Sequence, residues 1–383
     1  MASRLPVTII GGFLGAGKTS LLHNIITEHQ GGYLAVLVEN PGPLNIDAKS
    51  MRGLCGAMRR LQDTVLEIPN GDGETQLAWL ARALKEITQA GRFERVLIEV
   101  AGTTNPARLA EHFLPGGVLA ERGDLQQIIC AVDALEFFRT GKKNRTPYSL
   151  WDFQNEQIAG STLTVLNKCD LVEAKDLELV RRLLSDLHPE TKYVETAYCE
   201  VPAEIWAKTA GKKEIAAAIE RKPAYLKHQP PEKAEETPPL STALYRVHRP
   251  FHPARFWEWL NAEHTELLRV KGLLWLASRT LLVGGVSRTR WQNSCGAAGI
   301  WWAALPREEW PEDEASLKRM QETWREPYGD RRQELVLIGD PIWLAKSGRA
   351  QLDACLLTDE EYAKPVQEWG KFPDPFPEWD VEE

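Results

Sequence analysis

Over its first 220 or so residues the chain alternates short apolar runs with stretches of helical period. Strands are predicted at Val7–Ile10, Leu34–Val38, Thr64–Ile68, Arg95–Val100, Gln127–Val132 and Leu163–Leu166. Helical patterns begin near Ser20, Thr75, Asn105, Trp151 and Asp176. VTII, RVLIEV and LTVLN are nearly continuous in aliphatic residues, as strands buried on both faces must be. The alternation therefore predicts an α/β fold, a mostly parallel sheet with helices on both faces.

At Lys222–Leu240 the pattern stops: five prolines and several charges occur with no hydrophobic period, which reads as an extended linker. Beyond it the character changes, and eleven of the fourteen tryptophans follow Leu240. Strands are predicted at Ser241–Val247, Gly272–Ala277, Thr280–Val286 and Glu334–Ile338, with a helix over His252–Glu263. The expected division is residues 1–221, a linker over 222–240, and a smaller α+β domain over 241–383. A chain of 383 residues suits two such cores.

The formal net charge of −8 argues against a general nucleic-acid binder, which needs a basic surface. No apolar run reaches the length of a membrane span, and no signal peptide is expected, so the predicted location is the cytoplasm. Six scattered cysteines without a CxxC pair suit reduced thiols in that compartment.

Gly12-Phe13-Leu14-Gly15-Ala16-Gly17-Lys18-Thr19 fits GxxxxGK[ST], after a strand and before a helix that Ser20 continues. In such a loop the amides of residues such as Gly12, Gly15, Ala16, Gly17 and Ser20 turn inward on phosphates, and the helix N-terminus adds positive potential. Lys18 is then expected to reach the β- and γ-phosphates and Thr19 to ligate Mg²⁺. Glu99, ending RVLIEV, is a second candidate for Mg²⁺, and Gly102 three residues on is placed to sense a γ-phosphate through its N–H.

Asn167-Lys168-Cys169-Asp170 follows the strand LTVL. A carboxylate at Asp170 can accept from guanine N1–H and the 2-amino group together, a pair adenine does not offer. Asn167 would meet the other edge of the base and the Lys168 stem its face. Thr196-Ala197 lies where a further base-contacting loop would sit. GTP with Mg²⁺ is the expected ligand, and an ATP-dependent kinase on the same loop is disfavoured by NKCD.

These residues resemble the CobW-like family of P-loop GTPases. The resemblance runs through Gly11–Leu22, Asn45–Asp47, Asn70–Gly71, Glu99, Val132–Ala134, Gln157–Ile158 and Leu166–Leu171. In the second half it includes Tyr245–Phe256, Gly299–Pro311 and Gly329–Gly339, and it is nearest the subgroup associated with zinc limitation. It implies GTP hydrolysis to GDP and phosphate, a C-terminal domain of its own type, and the handling of metal ions for a client metalloprotein. Asp47 and Glu99 are the candidates for orienting the attacking water.

The chain departs from that pattern after Asn70-Gly71. Where family members carry CxCC, Asp72-Gly73-Glu74-Thr75 stands here. Two readings follow. Asp72, Glu74 and Glu39 could form a harder cation site, or DGET only begins a helix, where such residues cap and complement the dipole without any metal. The second needs less. His252, without a partner at ligand spacing, is expected to be a packed histidine, and Trp301-Trp302 to be core and domain-interface residues. The leading expectation is a slow GTPase whose nucleotide state is coupled to a partner-docking C-terminal domain. The alternative is a nucleotide-gated interaction module without metal transfer, its hydrolysis vestigial.

Overall fold

The structure is a computed structural model that describes residues 4–29, 31–39, 65–69, 73–141, 150–224, 240–311 and 314–379. The chain divides into two compact units, residues 1–238 and 239–383.

In the first unit seven parallel strands follow the order β3-β2-β4-β1-β5-β6-β7. They are β1 (Pro6–Gly12), β2 (Tyr33–Glu39), β3 (Val65–Ile68), β4 (Phe93–Glu99), β5 (Asp124–Asp133), β6 (Leu163–Asn167) and β7 (Lys192–Glu195). Helices α1 (Lys18–Glu28), α2 (Gly73–Ala90), α3 (Pro106–Glu111), α4 (Ala134–Gly141), α5 (Leu150–Ala159), α6 (Ala174–Leu187), α7 (Ala203–Trp206) and α8 (Lys212–Glu220) cover it. Alternate residues of the central strands go to opposite faces. Val7, Ile9, Val96 and Ile98 pack with Leu80 and Leu84 of α2. Ile10, Leu97 and Ile129 pack with Leu21, Leu22 and Ile25 of α1. Because both faces are buried, the strands read as unbroken aliphatic runs. The parallel pairing puts the carboxyl ends of β1, β4, β5 and β6 along one edge of the sheet, where ligands of open α/β sheets bind.

The second unit is a five-stranded antiparallel sheet in the order β11-β10-β9-β12-β8. Its strands are β8 (Ser241–Val247), β9 (Leu267–Leu274), β10 (Leu282–Thr289), β11 (Asn293–Ile300) and β12 (Gln333–Gly339). Helix α9 (Pro253–Asn261) lays Phe256, Trp259 and Leu260 on Val270, Leu274, Leu335 and Leu337. Trp275, Trp301 and Trp369 form a second cluster, with Tyr328 and Tyr362 against it. Trp301 is thus a core residue. His252 precedes α9 without a side-chain capping bond, and its ring packs on Phe372 with centroids 4.8 Å apart.

The predicted strands and helices recur with shifted ends, except that β9 begins five residues before the predicted run. The predicted pattern has no counterpart for strands β7 and β11, for helices α4, α7 and α8, or for the helices at Glu314–Thr323, Arg349–Asp353, Asp359–Tyr362 and Val366–Trp369. Among the described residues no helix is long and apolar enough to cross a membrane.

Candidate functional site

The phosphate loop leaves β1 at Gly12 and enters α1 at Lys18. Gly17, the residue before the helix, takes φ 104°, a left-handed value that side chains resist. A Cβ there would stand 2.4 Å from Asn167 Nδ2 and 2.7 Å from Cys199 Sγ, so only glycine fits. Among the described residues no side chain caps α1, and the first-turn amides of such a helix suit an anion. Lys18 is buried and its Nζ donates to the carbonyls of Gly12 (2.9 Å) and Phe13 (3.3 Å), so the ammonium lies folded across the loop.

Beside it, Thr19 Oγ1 donates to Glu99 Oε1 at 3.1 Å. Glu99 is only 3% exposed, and its Oε2 has no hydrogen-bond partner among the described residues. Burial pushes its carboxyl above the usual range, opposed by the Lys18 charge and the Thr19 hydroxyl. A hydroxyl and a carboxylate with one oxygen unmet form a hard-donor pair that suits Mg²⁺. Gly102 presses on the loop from the β4 side. A Cβ on it would stand 2.8 Å from the Leu14 nitrogen, which is why the position holds none.

The second motif is bonded to the first. Asn167, at the end of β6, donates from Nδ2 to Ala16 O (3.0 Å) and accepts at Oδ1 from Cys199 N–H (2.9 Å). One buried amide thereby ties together the phosphate loop, the NKCD strand and the loop after β7. That last loop contains Tyr198 and Cys199 at φ 58° and 60°, and Asn24 of α1 donates to Tyr198 O at 2.8 Å. Thr196 turns inward, its hydroxyl donating to Ala197 O and Glu200 O. Lys168 is also left-handed (φ 63°), and its Nζ meets Asp133 Oδ2 at 2.7 Å. Asp133 Oδ1 accepts from the amides of Leu135 and Glu136, capping α4. Asp170 follows in a short 3₁₀ turn (Cys169–Leu171), exposed to solvent.

Lys18, Thr19 and Glu99 thus stand together, with Gly102 on one side and Asn167 on the other. Asp47 and Asp72 lie outside the described residues, as do Asn45 and Asn70-Gly71. Glu39, at the end of β2, gives both its oxygens to loop 99–104: Oε2 accepts from Ala101 N–H (2.9 Å) and Oε1 from Thr104 Oγ1 (3.1 Å). Glu74 is exposed in the first turn of α2. Among the described residues no three His, Cys, Asp or Glu side chains are grouped to hold a metal ion. Sequence reading gave no role to Asp133, Gln157, Thr104 or Cys199. Asp133 and Gln157 lie in segments that carry the family resemblance, and Asp133 also has a local signal, an Asp at a strand end opening a helix.

A phosphate loop on a parallel sheet, with an NKxD turn bonded to its far wall, defines a P-loop GTPase. Residues 6–195 match the family model described as CobW/HypB/UreG, nucleotide-binding domain, and residues 240–356 that of the cobalamin synthesis protein cobW C-terminal domain. The chain belongs to this CobW/HypB/UreG family. Zinc-regulated GTPase metalloprotein activator 1 of Dictyostelium discoideum is 29% identical over 405 residues, spanning 97% of this chain and 84% of the relative. Zinc chaperone YjiA of Escherichia coli strain K12 is 23% identical over 303 residues, spanning 74% and 86%. The crystal structure of Zn(II)-bound YjiA GTPase from E. coli aligns over 93% of this chain and all of that one, at 18% identity and a TM-score of 0.37.

Proposed function

We propose that this GTPase binds GTP·Mg²⁺ between the phosphate loop and the NKCD turn, hydrolyses it slowly, and uses the nucleotide state to govern docking of its C-terminal unit on a client metalloprotein. The amides of Gly12, Gly15, Ala16, Gly17 and Ser20 line the phosphates. Lys18 leaves the carbonyls of Gly12 and Phe13 for the β- and γ-phosphates, whose charge attracts it more strongly. Thr19 and Glu99 hold Mg²⁺, which when bound offsets charge on the β- and γ-oxygens. Gly102 N–H faces the third phosphate. Asn167, Lys168 and Asp170 read the guanine. Rate enhancement then comes from positioning and electrostatics rather than covalent chemistry. Asp47 or Glu99 orients the attacking water.

The observation that carries this reading is the Asn167 side chain, which spans 3.0 Å to the phosphate loop and 2.9 Å to the loop after β7. A fixed spacing between a phosphate cradle and a base turn is what a purine nucleotide requires. The test is calorimetric titration with GTP, GDP and ATP for the unaltered protein and Lys18→Ala. Tight, guanine-selective binding lost in Lys18→Ala is expected, and unchanged affinity in that variant, or a preference for ATP, overturns the assignment.

Handling of a cargo metal in the cytoplasm, with residues 222–240 linking the domains 1–221 and 241–383, completes the proposal. Its support is the zinc-related names of the relatives. Elemental analysis with and without GTP decides between this and a nucleotide-gated docking module that carries no metal. Glu39 bound to loop 99–104 favours the latter as far as that residue goes.

A further inference from the structure

We propose that Glu39 is a positioning residue for the γ-phosphate side of the site, a latch between β2 and loop 99–104 that works without a metal. The inference rests on the GTP site read above. Val38 of β2 pairs with Glu99 of β4, so Glu39 stands beside the start of the loop. Its two oxygens take one backbone donor and one side-chain donor from that loop, Ala101 N–H and Thr104 Oγ1. A further turn bond, Thr104 N–H to Ala101 O at 2.9 Å, closes the segment between these two anchors.

From the opposite side Gln157, buried on α5, donates through Nε2 to Thr104 O (2.9 Å) and at longer range to Gly102 O (3.4 Å). Gly102 lies between the two residues that Glu39 holds, accepts from Gln157 at its carbonyl, and stands against the backbone of Leu14. A carboxylate accepting from an amide is a charge-assisted bond, stronger than a neutral one. Each Glu39 oxygen already accepts one hydrogen bond from the loop, so a cation here would have to share a carboxylate whose position the Ala101 amide and the Thr104 hydroxyl fix.

The consequence is specific to the third phosphate. If the loop meets the nucleotide through Gly102 N–H, loosening it weakens GTP and spares GDP, which has no γ-phosphate. A residue that merely supported the fold would affect both alike. Loss of a charge-assisted bond corresponds to about a ten- to hundredfold change in affinity.

The experiment measures dissociation constants for GTPγS and GDP, with Mg²⁺, on the full chain and its Glu39→Ala, Glu39→Gln and Thr104→Val variants, and titrates each with zinc alone. Thr104→Val is nearly isosteric and guards against a variant that does not fold. The expected result is weaker GTPγS binding, tenfold or more for Glu39→Ala, less for Thr104→Val, with GDP within about twofold and zinc affinity the same for all. Equal losses for both nucleotides, no loss for either, or loss of zinc binding in Glu39→Ala overturns the latch. Failure of the unaltered chain to bind any guanine nucleotide instead overturns the site on which the latch depends.

Discussion

Replacing Asn167 with alanine tests the junction that holds the site together. The change removes two hydrogen bonds, to Ala16 O and from Cys199 N–H, and leaves both backbone groups unmet beside a side chain that is 2% exposed. Leaving each of these buried groups without its partner costs roughly 1–3 kcal/mol, the lost bond included. Against this, Tyr198 and Cys199 are held at left-handed φ, a strain on the order of 1 kcal/mol per residue. Once Cys199 is released the loop can relax, which returns part of the loss. The net expectation is about 2–4 kcal/mol, or a drop of roughly 5–15 °C in the melting temperature of the first unit. Eleven of the fourteen tryptophans lie beyond Leu240, so intrinsic fluorescence reports mainly on the other unit. Scanning calorimetry with resolved transitions is the proper assay, with GDP affinity measured in parallel. Asn167→Asp is the sharper control: it keeps the acceptor for Cys199 N–H but sets a buried carboxylate against the Ala16 carbonyl, so it should fare no better than alanine. An alanine variant that melts within about 1 °C of the parent and binds GDP equally well refutes the reasoning.

Glu99→Gln should leave the nucleotide-free protein as stable or more stable at neutral pH, while shrinking the thermal shift produced by Mg²⁺ with GTP. A carboxyl raised by burial makes the free protein less stable as pH rises from the usual glutamate range through the raised value, and the amide removes that effect. Mg²⁺-dependent nucleotide binding should weaken as pH falls through the same window, which calorimetry over a pH series checks. Asp133→Asn keeps an acceptor for the α4 amides but loses the charge partner of Lys168, so GTP and GDP affinities should fall together by roughly fivefold or more with little change in melting temperature. His188, buried against Asn155 Oδ1 at 2.7 Å, is held neutral by burial and pushed down to about 3, with Arg221 adding to the effect. Stability of the first unit should therefore fall by roughly 1.4 kcal/mol per pH unit below about 6.5, and a His188→Gln variant that shows the same acid slope removes this group as its source.

The nucleotide site contains polar groups poised for partners. Lys18 bonds to two carbonyls of its own loop, and among the described residues Glu99 keeps one oxygen unmet beside it and no side chain caps the first turn of α1. On the proposed reading a triphosphate with its cation would satisfy all three at once, so nucleotide binding should stabilise this unit by an amount that grows with ligand concentration.

How much of this was legible in the sequence depended on the range over which each feature is set. The phosphate loop is local: glycines, a lysine and a threonine at fixed spacing between a strand and a helix, whereas Glu99 reaches Thr19 only through the pairing of β1 with β4. Strand β11, NSCGAAGI, has no hydrophobic alternation and is a strand only because β10 pairs with it from Leu282 to Arg288. Edge strand β7 is four residues long and partly exposed, which leaves little pattern to read. Glu39 marks the limit most clearly. As a residue type it suits a cation, and next to Asp72 and Glu74 in composition it suggested one. Its partners are Ala101 and Thr104, more than sixty residues away in the chain and brought within 3.1 Å by the pairing of β2 with β4. What a buried carboxylate does is decided by the donors that the sheet delivers to it, and sequence spacing contains no record of those.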